Sequence, residues 1–175
     1  MSAVVIDTNV LLVADGQANH MTDACKIECQ GRLQEIQANE LVVLDHQRMI
    51  LAEYGNKLNP SRRPPSPGGA FLKWLLVNQC NPRHTVMVSL TPLNEERTRF
   101  SEFPPDATLE NAFDPSDRKF VSVAFAHPEK PPILEAADSK WLGWEADLTR
   151  HGIQIEVLCR CELEGIWRRK TGEAT

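Results

Sequence analysis

The 175 residues carry 19 Lys and Arg against 24 Asp and Glu, a formal net charge of −5, with 42% hydrophobic and 25% charged residues. This is the balance of a globular domain with one core, and its acidic sign excludes sequence-independent coating of nucleic acid, which needs a basic surface. No apolar run approaches the roughly 20 residues of a membrane span, and the N-terminus lacks the charged-then-apolar layout of a signal peptide, so the expectation is a cytoplasmic protein without membrane contact.

Ala3 to Ile6 is a short apolar strand ending in Asp7-Thr8-Asn9, with Val10 to Val13 starting a short helix or apolar loop. Thr22 and Asp23 are good N-cap residues for a helix to about Gln37, with Cys25, Cys29, Leu33 and Ile36 on its inner side. Leu41 to Leu44 is a second buried strand. Asp45 then caps a helix to about Leu58 with Ile50, Tyr54 and Leu58 as its stripe, and Glu53 at the edge of that stripe. Residues 59–69, rich in Pro and Gly, are expected to form an inserted loop.

A short helix follows from Ala70 to about Gln79, and Thr85 to Leu90 is a third strand. Asn94 to Phe103 is expected as a polar helix stopped by Pro104-Pro105. Asp114-Pro115-Ser116-Asp117 has the layout of a helix start, with Asp114 as N-cap and the helix continuing to about His127. Ile133 to Ala136 is a fourth strand leading to Asp138, Trp141 to His151 a helix, and Ile153 to Leu158 a fifth strand. Strands alternating with helices predict a single-domain α/β fold, a three-layer sandwich with a central, mostly parallel sheet of four to five strands. The expected domain spans residues 1–160, and 161–175 is expected to be a basic tail carrying Arg168, Arg169 and Lys170.

Four acids stand at element ends that a parallel sheet brings to one edge: Asp7, Glu53, Asp117 and Asp138. Glu53 reaches that edge only if its helix leans inward. Two bare carboxylates 4 Å apart repel by roughly 4 kcal/mol at an effective dielectric near 20, so such a cluster calls for protons or cations. Oxygen-only ligands suit Mg²⁺ or Mn²⁺, which can activate water for attack on phosphorus. Asp114 is read chiefly as a cap, and as a candidate outer ligand because it lies three residues before Asp117. Thr8 and Asn9 are supporting residues that order the turn.

The residues that carry these acids also carry a resemblance. Ile-Asp-Thr-Asn-Val-Leu at 6–11, Ile-Leu-Ala-Glu-Tyr at 50–54, Asp-Pro-Ser-Asp-Arg-Lys-Phe-Val-Ser-Val-Ala at 114–124 and Ile-Leu-Glu-Ala-Ala-Asp at 133–138 resemble, in order and spacing, the acidic motifs of the PIN nuclease domain, in its bacterial standalone form. The resemblance covers residue 4 to about 158. It implies a flavodoxin-like parallel sheet and metal-dependent phosphodiester hydrolysis, usually of RNA, with Asp7, Glu53, Asp117 and Asp138 as catalytic metal ligands. By analogy it also implies a toxin or defence effector restrained by an antitoxin or working beside a larger regulatory protein, and a homodimer. Many relatives carry Thr or Ser two residues before the last Asp, where this chain has Ala136.

Arg118 and Lys119, adjoining Asp117, and Arg62 and Arg63 in the Pro-rich loop are the candidate nucleic-acid-binding residues, with Arg97 and Arg99 as further members of a basic rim. The alternatives are a nuclease for single-stranded DNA, which presents the same phosphodiester, and a catalytically silent PIN-like binding module. A phosphatase using an aspartate nucleophile wants a second Asp where Asn9 stands, and neither a GxGxxG nor a P-loop pattern is present. The five cysteines are odd in number and lack CxxC spacing, so they are expected as buried thiols acting as small hydrophobes. The five histidines show no nucleophile pairing and are expected to be surface or structural residues.

Overall fold

The computed structural model describes residues 1–59, 61 and 63–172. Its elements run β1 (Ala3–Ile6), α1 (Thr8–Ala14), α2 (Asp23–Asn39), β2 (Leu41–Asp45), α3 (Met49–Lys57), α4 (Pro67–Asn78), β3 (Thr85–Val88), α5 (Ala107–Ala112), α6 (Arg118–Ala126), β4 (Ile133–Glu135), α7 (Lys140–Arg150), β5 (Ile155–Val157) and α8 (Arg160–Thr171). The strands form one parallel sheet in the order β3-β2-β1-β4-β5, giving a three-layer α/β sandwich. All residues of β1 and β4 are buried, as expected of central parallel strands covered on both faces. The chain moves outward from β1 through β2 to β3, then crosses back to β4 on the other side of β1. The gap above β1 and β4 is thus the switch point at which open α/β sheets hold ligands, and Asp7 stands at its mouth.

Several elements follow directly from the local pattern. Helix α2 is capped by Thr22, whose Oγ1 accepts from Cys25 N, and it buries Cys25, Cys29, Leu33 and Ile36. Helix α6 packs on β1, β2 and β4 and is buried from Arg118 to Ala124. Among the described residues no helix is long and apolar enough to cross a membrane.

Four expectations are corrected. Residues 94–103 form no helix: Asn94 Oδ1 accepts from Thr98 N (3.0 Å) and Arg99 N (2.9 Å), and Pro92 bridges Phe100 in antiparallel fashion. The Asn94 side chain competes with helical hydrogen bonds, while buried Phe100 and Phe103 anchor the loop to the core. The short helix α5, capped by Asp106 through Leu109 N, lies in a stretch the sequence left unassigned.

The Pro-rich loop is shorter than expected, because Pro67, Gly68 and Gly69 form the first turn of α4. Asp15 holds this turn, accepting from Gly68 N (2.5 Å) and Ser66 Oγ (2.8 Å). A Cβ on Gly68 would lie 2.5 Å from the Leu11 carbonyl oxygen, so only glycine allows α4 to approach α1 this closely. Residues 161–171 of the expected basic tail belong to α8, which buries Leu163 and sets Trp167 against Gly143 of α7. Its apolar residues are too few for a strong periodic signal, and its register is set by its partners.

The fourth correction concerns cysteine. Cys25 and Cys159 are joined in a disulfide, with Cα atoms 5.4 Å apart across 134 residues of sequence, leaving Cys29 as a buried thiol and Cys80 and Cys161 exposed. Sequence spacing cannot show that the first turn of α2 meets the start of α8.

Candidate functional site

The end of β1 and the elements beside it enclose a cleft of about 630 Å³, lined by Asp7, Thr8, Asn9, Glu53, Asp114, Asp117, Lys119 and Asp138 among others. All four expected site acids and the candidate outer ligand Asp114 therefore converge. Six carboxylates line this cleft (Asp7, Glu53, Glu96, Asp114, Asp117 and Asp138) against three cations (Lys57, Arg97 and Lys119).

Asp7 is 2% exposed, and its Oδ1 accepts from Asn9 N at 2.8 Å, so it caps α1 while facing the cleft. Burial raises its pKa well above the usual carboxylate range; Glu135, Asp117 and Glu53 add to the rise, and the Asn9 N–H opposes it. Glu53 sits in the middle of α3, which starts only at Met49 because Asp45 accepts from Met49 N and Ile50 N at the end of a turn. This late start leaves Glu53 within reach of the sheet edge. Thr8 Oγ1 donates to its Oε1 (2.5 Å), and Lys119 Nζ pairs with its Oε2. Next to it on α3, buried Tyr54 donates to the Ile6 carbonyl and pins the helix to the end of β1.

The third motif folds differently from its expected capping box. Helix α6 begins at Arg118 with Asp117 as its N-cap residue, and Asp114 instead closes a turn by accepting from Ser116 N (3.2 Å) and Ser116 Oγ (3.0 Å). Freed from a capping bond, the Asp117 side chain is available to the cleft. Burial, then Asp114, pushes its pKa up to about 6 against the opposing charge of Lys119. Burial of Asp114 is outweighed by the Ser116 bonds and by Lys140 at 3.3 Å, so its carboxyl is held low. Asp138 accepts from Lys140 N at 3.0 Å at the start of α7.

Glu135, the last residue of β4, is a site residue that the sequence reading missed. It is fully buried, and its Oε1 accepts from Ala137 N (2.8 Å) and Asp138 N (2.6 Å), shaping the turn that presents Asp138. Among the described residues its Oε2 has no hydrogen-bond donor. Burial raises its pKa to about 7, against the lowering effect of those two N–H groups and of a hydrogen-bonding contact with Asp7. Asp7 and Glu135 can bond to each other only by sharing a proton, so they titrate as a pair. An acid inside the apolar run Ile-Leu-Glu-Ala-Ala was the available signal, because Glu is almost never fully buried without a partner.

The basic candidates divide. Lys119 lines the cleft, where it pairs with Glu53 and donates to the Ser116 carbonyl. Arg118 does not reach the cleft; it is 8% exposed and its guanidinium donates to the Phe113 carbonyl at 3.2 Å, tying the start of α6 to the preceding loop. A residue adjoining Asp117 on a helix points roughly 100° away from it, which is why adjacency misled. Arg63 lies in a separate depression beside Trp74 and Lys73 on α4, Arg99 pairs with Glu110, and Arg62 lies outside the described residues. Arg97 lines the cleft.

The donor set fits a hard divalent cation in chemistry: its ligating atoms are carboxylate oxygens, and two of its acids, Asp7 and Asp117, are driven toward protonation. Lys119 already balances one of these acids. Among the described residues, the one trio of potential metal ligands with all donor atoms within 4.8 Å of one another is Cys25, Cys29 and Cys159, so the carboxylates line a shared cleft rather than a closed cage. Comparisons with protein-family models, curated proteins and solved structures give no match to this chain.

Proposed function

We propose that this cleft is the site of a Mg²⁺- or Mn²⁺-dependent nuclease that hydrolyses phosphodiester bonds in RNA. The observation that carries the reading is the convergence of Asp7, Glu53, Asp117 and Asp138, drawn from four separate segments, at the switch point of a parallel sheet. Asp7, Glu53, Asp117 and Asp138 would hold the cation, with Lys119 as the present partner of Glu53. When bound, the cation would supply charge neutralisation and Lewis-acid activation of water for attack at phosphorus. Asn9 N–H orients the Asp7 carboxylate, Glu135 fixes the Asp138 backbone, and Lys119 and Arg97 offer positive charge to phosphate oxygens.

The pairing of Lys119 with Glu53 favours a second reading, a catalytically silent PIN-like module, since an ammonium group already occupies one side of the acid cluster. A single experiment separates the two. End-labelled mixed-sequence RNA and single-stranded DNA are incubated with the protein and Mn²⁺ or EDTA, beside Asp7→Asn. The expected result is Mn²⁺-dependent cutting of RNA that the variant loses. Preference for DNA would replace the substrate, and an absence of cutting by folded protein that does not bind Mn²⁺ would favour the silent module.

A further inference from the structure

A second cluster of chemically active side chains lies where α2 meets the start of α8. Cys25 and Cys29 stand one turn apart on the inner face of α2, and Cys159 is the left-handed residue (φ 56°) that opens α8. Their sulfurs all lie within 4.8 Å of one another. Cys25 and Cys159 form the disulfide, so Cys29 is a third sulfur that the crosslink does not require. A buried cysteine ordinarily serves as a small hydrophobe with no sulfur neighbours; this one faces two.

The surroundings of the cluster are acidic. Glu28 accepts from Cys159 N at 3.2 Å, and Glu162 accepts from Thr22 N at 3.1 Å at the start of α2. Burial pushes the Cys29 thiol up to about 12, and Glu28, Glu135 and Glu162 add to that rise. A thiol held this firmly protonated is a poor nucleophile, so exchange between Cys29 and the disulfide is disfavoured. The same negative field attracts a cation that can displace the thiol protons.

We propose that, once the Cys25–Cys159 disulfide is reduced, Cys25, Cys29 and Cys159 form a three-thiolate site for a thiophilic divalent cation of the Zn²⁺ class. Reduction by a dithiol adds two electrons and two protons across the S–S bond, giving two thiols as the dithiol becomes a disulfide. Binding of the cation to three thiols then releases three protons. Three sulfur ligands leave the fourth tetrahedral position open to water or a nearby carboxylate. Re-oxidation by a small-molecule disulfide, which takes up the two electrons and leaves as two thiols while the Cys25–Cys159 bond re-forms, removes two of the ligands and expels the cation, so disulfide and metal are mutually exclusive. This inference stands apart from the acid cleft and does not depend on its activity.

The test uses the whole chain, reduced with a phosphine, desalted without oxygen and titrated with Co²⁺ and then Zn²⁺. The expected result is a sulfur-to-Co²⁺ charge-transfer band that saturates at one equivalent, disappears on adding Zn²⁺ and is absent from the oxidised protein. Cys29→Ser should weaken binding by more than the ~100-fold that loss of an outer-layer partner costs. Cys161→Ser and Asp7→Asn should leave the band unchanged. No band in the reduced protein, or an undiminished band in Cys29→Ser, overturns the proposal. Where Cys29→Ser loses its circular dichroism, alkylation of the reduced natural sequence with and without Zn²⁺ decides. Zn²⁺ should slow labelling of Cys25, Cys29 and Cys159 and spare neither Cys80 nor Cys161; unchanged rates at the three overturn the site.

Discussion

Glu135→Gln should make the protein more stable above pH 7 while changing little near pH 4.5. The natural carboxyl is fully buried, with Oε1 bonded to Ala137 N and Asp138 N and Oε2 unpaired. Glutamine keeps an acceptor for both N–H groups and puts an NH₂ donor in place of the orphaned oxygen, within reach of Asp7. The rise in pKa from 4.5 to about 7 means that the native state holds this proton to higher pH than the unfolded chain does. Native protein therefore binds more protons between these values, and stability falls as pH rises through that window. At about 1.4 kcal/mol per pH unit, the loss is roughly 3 kcal/mol once pH exceeds 7, an upper bound because Asp7 shares the titration. Urea unfolding at pH 5 and pH 8, with the disulfide intact and EDTA present, measures the difference directly. The variant should gain a large part of that energy at pH 8 and lose the downward slope of the natural sequence. A variant that keeps the slope, or is less stable than the natural sequence at pH 8, would refute the claim that a buried, protonation-prone acid underlies the cleft.

Two other substitutions examine the Lys119–Glu53 pair in the cleft and the packing of α4 on α1. Lys119→Met should lower stability by roughly 1–3 kcal/mol, because it leaves the Glu53 carboxylate half-buried without its cation. The same change should tighten Mn²⁺ binding as followed by calorimetry, and a fall in both stability and Mn²⁺ affinity would show that Lys119 is not a competitor for the acids. Gly68→Ala should cost on the order of 1–3 kcal/mol in thermal or urea unfolding, since its Cβ would meet the Leu11 carbonyl at 2.5 Å. An unchanged midpoint would mean that α4 can move off α1 freely.

Alternating apolar runs and caps made the parallel sheet and most helices legible in the sequence, because buried strands and capped amphipathic helices obey local rules of spacing. The same logic located Asp7, Glu53, Asp117 and Asp138, since strand ends and helix starts share one edge of a parallel sheet. Tertiary packing decided the rest. It took Asp117 out of the expected capping box and made it the N-cap residue of α6, and it turned Arg118 into a buried brace instead of a rim cation. It also made Glu135 a buried partner of Asp7 by seating the end of β4 beside the end of β1. Local pattern cannot express the pairing of Glu135 with Asp7, because the two come from segments more than a hundred positions apart. The meeting of Cys25 and Cys29 with Cys159 has the same origin: α2 and the start of α8 become neighbours only in the folded chain.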